Sequence, residues 1–161
     1  MSPESLLLAI VASAAAGGAA HADPAGPITP IPARLAAKAA VAALTTCADE
    51  GYRVTVTIVD REGITRAQLV GDGAGPISIS TSRRKAYTSA ALGVSTVEYG
   101  KLVSKYPGPP VDPELITFAG GLPIVSHGAV IGAIGVGGAD RAELDEACAQ
   151  AGLDAIKDLL N

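Results

Sequence analysis

Residues 120–154, GGLPIVSHGAVIGAIGVGGADRAELDEACAQAGLD, decide how this chain folds. Two apolar runs, 122–126 and 129–136, flank His127-Gly128. A two-residue link with glycine in second place predicts a tight β-hairpin. Gly132, Gly135, Gly137 and Gly138 fall inside and just after the second run. Their spacing does not match G-x-G-x-x-G, and they belong to a hairpin and not to a βαβ unit, which argues against a dinucleotide loop. Glycines in a strand instead let a helix or a ligand lie close on the sheet. Asp140, with Glu143 three residues on, predicts a capping box opening a helix over 140–159.

Working outward, 115–119 reads as a short strand and 107–113 as a proline-rich loop. Ser95 or Thr96 caps a short helix running through Val103, with Glu98 in its first turn. A longer helix spans 77–92, with Ser78 and Ser80 as candidate caps and Arg83-Arg84-Lys85 at its middle. Within 53–60, Val54, Val56 and Ile58 alternate with Thr55 and Thr57, the period of a strand. The turn Asp60-Arg61-Glu62-Gly63 returns the chain as a second strand over 64–70. Pro32 and Gly51 bracket a helix over 33–50. Strands that pair as consecutive hairpins predict an α+β fold: a mainly antiparallel sheet of about five strands flanked by helices.

The 161 residues suit one domain. The apolar content comes mostly from Ala, Val, Ile and Leu, with one Phe and no Trp, so helices can approach the sheet closely. A formal charge of −4 leaves no basic surplus to neutralise phosphates, which argues against a nucleic-acid partner. Residues 1–22 read as a secretory signal: a short apolar run through Leu6-Leu7-Leu8, then Ala20-His21-Ala22 as an A-x-A site. It is atypical in carrying Glu4 and no Lys or Arg in its first five residues. The expectation is a secreted or periplasmic protein, with no membrane association after cleavage, a Pro-rich linker over 23–32 and a domain over 33–161. Cys47 and Cys148 lie on the first and last expected helices. Two readings stand for them, paired as a disulfide or packed as core thiols.

The ordered set VDREGITRA, GDGA, RRKAYTSA, GGLPI, IGAIGVGGA and DEACAQAGLDA resembles the GlcG/HbpS family across about residues 33–158. The resemblance implies a helix-flanked antiparallel sheet related to profilin-like folds, homo-oligomers, and haem or another tetrapyrrole as ligand. The chain departs from the family in two places. His127-Gly128 replaces the usual Asp-Gly turn, and Val70-Gly71-Asp72-Gly73-Ala74 lacks the family's arginine.

Haem iron is ordinarily held by His, Cys, Met or Tyr. Once His21 is removed with the signal, His127 is the remaining histidine and a candidate ligand, although a turn residue needs no such role. The family resemblance adds Thr96 as a hydroxyl-type ligand candidate. Lys85 and Arg84 are candidate partners for a carboxylate or haem propionate. Thr88 and Tyr99 lie on the helices that flank the expected pocket, and Asp72 is placed at its mouth. No Ser-His-Asp set, metal-binding cluster or P-loop appears. An exported tetrapyrrole-binding carrier, scavenger or sensor accessory is therefore the leading reading. An enzyme acting on a small carboxylate or degrading haem, and a ligand-free oligomeric module, are the alternatives.

Overall fold

A computed structural model describes residues 29–109 and 111–160; the expected signal and most of the linker lie outside the described residues. The elements run α1 (Ala33–Asp49), β1 (Thr55–Asp60), β2 (Thr65–Val70), α2 (Pro76–Leu92), α3 (Thr96–Lys105), β3 (Gly121–Ser126), β4 (Ala129–Gly137) and α4 (Ala142–Asp154), then a 3-10 turn, Lys157–Leu159. The sheet order is β2-β1-β4-β3, and every neighbouring pair is antiparallel. His127 and Gly128 both adopt positive φ, 48° and 79°, as a primed two-residue turn requires.

Helices cover both faces of the sheet. On one face, Val56, Ile58, Ile134 and Val136 pack with α1 and α4 around Leu35, Ala39, Ala43 and Ala149. Cys47 of α1 and Cys148 of α4 are both buried and form a disulfide, which settles the two readings of these residues. Ile31, assigned above to the linker, is fully buried, and its N–H donates to the Ile131 carbonyl at 3.0 Å.

The other face lies under α2, where a small apolar cluster of Val59, Ala133, Ala86 and Ala90 adjoins a polar stretch. The alternation of β1 is present, yet Thr55 and Thr57 are as buried as the valines. Ser82 Oγ donates to the Ile79 carbonyl, so the 2.8 Å contact from Thr57 Oγ1 supplies its proton from the threonine. Gln68 Nε2 in turn donates to Thr57 Oγ1 at 2.9 Å. The equivalent Thr55–Ser78 contact is 2.7 Å. Ser78 therefore faces the sheet and does not cap α2, which starts after Gly75 with no side-chain cap. Hydroxyl pairs satisfy one another here while letting the helix sit close.

Gly135 sets that closeness. A Cβ at this position would lie 2.1 Å from the Ser82 carbonyl oxygen and 2.4 Å from the Ala86 nitrogen, both backbone atoms of α2. Gly135→Ala is expected to lower stability by about 3 kcal/mol, the upper end of overpacking costs, seen as an earlier urea midpoint. An unchanged midpoint would show that α2 can lift off the sheet freely.

The strand count and the bounds of the last helix are corrected. The sheet has four strands, not about five, because 115–119 finds its hydrogen bonds elsewhere. Ile116 N–H donates to Thr88 Oγ1 and the Leu115 carbonyl accepts from Arg84, so α2 side chains replace a neighbouring strand. The last helix begins after Arg141 with no side-chain cap, not at an Asp140–Glu143 box. Asp145 meets the loop instead, accepting from Ala139 N–H at 3.0 Å. The helix stops at Asp154, and the turn that follows puts Ile156 fully into the core. The Ser95 cap is as expected, with Glu98 N–H donating to Ser95 Oγ and Ser95 N–H to Glu98 Oε2.

Candidate functional site

Helix α3 turns little of itself to the core; Thr96 is its one buried residue. Its apolar stripe, Tyr99, Leu102, Val103 and Tyr106, follows the i, i+3, i+4, i+7 spacing of a single helix face. That stripe forms one wall of a cleft of about 630 Å³. The opposite wall is the strap 111–118, which contributes Val111, Leu115, Ile116 and Phe118. Leu102, Tyr106, Val111 and Phe118 are each more than half exposed. Contiguous exposed apolar surface of this kind marks a binding site more often than an ordinary monomer face.

Helix α2 holds the strap in place. Arg83 pairs with Glu114, and Tyr87 donates its hydroxyl to Asp112 Oδ2 at 2.9 Å. Arg84 donates to three successive carbonyls: Nη2 to Pro113 at 2.7 Å and to Leu115 at 3.2 Å, and Nε to Glu114 at 3.2 Å. Carbonyl oxygens orient a guanidinium without neutralising it. Its Nη1 edge makes no hydrogen bond among the described residues, so Arg84 stands in the cleft wall as a fixed cation able to meet a carboxylate.

The N–H of Glu114 and then the Tyr87 hydroxyl hold the Asp112 carboxyl below the usual aspartate range. The same carboxylate raises the Tyr87 phenol. A depressed acid stabilises the fold above its unfolded value and loses that contribution as pH falls through the folded one. The strap contact should therefore persist through neutral pH and loosen only in acid. The Glu114 amide shift is expected to titrate with a midpoint below the ordinary aspartate value of about 3.9. A midpoint at or above that value would remove Asp112 from the strap's anchoring.

Behind α2 lies a second charged contact. Lys85 Nζ donates to Asp145 Oδ2 at 2.6 Å, with both side chains almost fully buried. Burial lowers the Lys85 ammonium and raises the Asp145 carboxyl, while their mutual attraction opposes both shifts. The pair joins α2 to the start of α4 beneath Gly120.

Comparison with known proteins places this architecture. The family described as haem degrading protein HbpS-like matches residues 31–154. The chain belongs to the HbpS-like family. An uncharacterised 15.0 kDa protein from the dhaT–dhaS intergenic region of Citrobacter freundii is 34% identical over 113 residues, 66% of this chain and 78% of that protein. The crystal structure of HbpS matches with a TM-score of 0.79 at 37% identity, covering 86% of this chain and 98% of that one. The PduOC structure, a complex with haem, matches with a TM-score of 0.71 at 25% identity, covering 80% of this chain and 96% of that one.

In this HbpS-like chain, two of the residues singled out by sequence, Arg84 and Tyr99, meet at the strap cleft. The others do not. Lys85, the other candidate carboxylate partner, is buried in the protein and committed to Asp145. Successive helical residues project about 100° apart, which leaves Arg84 in the cleft wall while Lys85 is buried on Asp145. Thr88 is buried and accepts from Ile116 N–H. Thr96, the hydroxyl-type ligand candidate, is fully buried and accepts from Gly121 N–H at 3.1 Å, which leaves its oxygen no open path to a metal. Asp72 lines a separate, smaller cavity with Tyr52 and Arg53, and His127 sits at the β3–β4 tip outside the cleft wall. No group of three or more His, Cys, Asp or Glu side chains is placed to hold a metal ion among the described residues. No described helix is long and apolar enough to cross a membrane.

Sequence reasoning missed Leu102, Tyr106 and Phe118 as site residues. The signal was available in the first two. A helix of ten residues with an i, i+3, i+4, i+7 apolar stripe and a single small buried residue has its stripe facing something other than the core.

Proposed function

We propose that this chain binds haem in the strap cleft and serves, outside the reducing cytoplasm, as a carrier, scavenger or sensor accessory that assembles as a homo-oligomer. The observation that carries the reading is the convergence of exposed Leu102, Tyr106, Val111 and Phe118 on one cleft that also holds the fixed Arg84 cation. Haem presents the matching chemistry: a flat apolar macrocycle, two propionate carboxylates and an iron that accepts an oxygen donor. A cleft of about 630 Å³ lies within the usual range for small-molecule sites, about 300–1,000 Å³. The haem-degrading description of the family and the haem complex of PduOC support the ligand class. The buried Cys47–Cys148 disulfide supports an oxidising compartment.

Arg84 would meet a propionate, the α3 stripe and Phe118 would cover the macrocycle, and the tyrosines supply the wall's phenolic oxygens. Haemin titrated into the purified chain is expected to shift the Soret band with saturation at one haem per subunit. No shift at micromolar protein overturns the reading. Loss of the bound haem with product formation when reductant and oxygen are added would favour the haem-degrading alternative instead.

A further inference from the structure

The cleft holds oxygen donors and no soft or imidazole ones. Of the side chains that ordinarily ligate haem iron, its wall offers Tyr99 and Tyr106, with no His, Cys or Met among the described residues. The two phenols are not equivalent. Tyr106 ends α3, is two-thirds exposed, and has the Lys105 ammonium 5.2 Å from its ring centre. Tyr99 lies within α3, half-buried, and its helix is locked at the N-terminus by the Ser95–Glu98 box. Tyr87 spends its hydroxyl on Asp112, whereas that of Tyr99 makes no hydrogen bond among the described residues. A half-buried phenol on a capped helix, with no hydrogen bond among the described residues, thus shares an apolar wall with the Arg84 guanidinium and has its oxygen free for an acceptor.

We propose that Tyr99 is the axial iron ligand, which makes the cleft selective for ferric haem; this rests on the haem reading above. In binding, Tyr99 Oη passes its proton to the hydroxide on the ferric iron. That hydroxide leaves as water, and an Fe–O(phenolate) bond replaces Fe–O(hydroxide) with no change in oxidation state. An anionic oxygen is a hard donor and favours the higher-charged iron. Reduction to the ferrous state therefore weakens the hold, so the chain takes up oxidised haem and gives it up on reduction.

Metal-free protoporphyrin IX separates this proposal from the reading it rests on, because it fills the cleft and has no iron to ligate. Tyr99→Phe is expected to weaken haemin binding about tenfold or more and leave protoporphyrin within about twofold of wild type. Resonance Raman spectra of the wild-type haemin complex should carry phenolate-enhanced bands, absent in Tyr99→Phe and retained in Tyr106→Phe. Equal haemin affinities with phenolate bands missing from the wild type, or retained in Tyr99→Phe, overturn the Tyr99 assignment while the cleft stands. Failure of both haemin and protoporphyrin to bind the wild type overturns both.

Discussion

Replacing Cys47 and Cys148 together by alanine is expected to remove roughly 4.7 kcal/mol of stability, enough to leave the chain near its unfolding threshold. The bond closes a loop with a sequence separation of 101 residues, joining the first helix to the last. Cross-links over long loops restrict the unfolded chain most, and the cost of closing them falls on the folded state once the link is cut. Loss of packing around 0% and 1% exposed side chains adds to that effect. The thermal midpoint should fall by roughly 15–20 °C for a domain of this size. Because both sulfurs are buried, reductant should act on the native protein only as fast as it opens. A fall of about 1 kcal/mol or less would mean that α1 and α4 hold together without the bond.

Breaking the Lys85–Asp145 pair is the second large effect. Lys85→Met leaves a carboxylate buried without its cation, and removal of one partner from such a pair costs about 3–5 kcal/mol. Asp145→Asn does the same to the ammonium, while its side-chain oxygen can still accept from Ala139 N–H. The double variant Lys85→Met with Asp145→Asn removes both charges and keeps that hydrogen bond. It should recover most of the loss, because burial already opposes each charge in the native protein. Urea midpoints of the two single variants and the double one check this. Additive losses would show that the two side chains are not coupled, and a double variant no more stable than either single one would show that the pair's attraction outweighs its desolvation cost.

The hairpin of β3 and β4 was legible because its signals are local. His127-Gly128 can make few other turns, and the strand glycines announce a close neighbour without naming it. A cap at Ser95 or Thr96 was legible for the same reason, and the structure makes it Ser95 with Glu98 closing a box. Lys85 was not, because its partner lies 60 residues away and the sequence does not say which face of α2 meets α4. The same blindness turned 115–119 into a strand. Its backbone partners are the side chains of Arg84 and Thr88, and no strand pattern reports a segment paired to a helix surface. Asp140 and Glu143 had the spacing of a capping box, yet Asp145 took over at that end because it also meets Lys85. Of the candidate site, Arg84 and Tyr99 were legible from residue chemistry. Their meeting across the strap was not.

The location of the haem site is the claim on which the rest depends, and a haemin titration of two surface variants tests it most directly. Leu102→Asp places a carboxylate in the cleft wall, whereas Val41→Asp places one on the exposed side of α1, across the sheet. Both positions are about half exposed, so neither change disturbs the core. Leu102→Asp is expected to weaken haemin binding by about tenfold or more, with Val41→Asp close to wild type. Equal affinities for the two variants and the wild type would place the haem elsewhere and contradict the account.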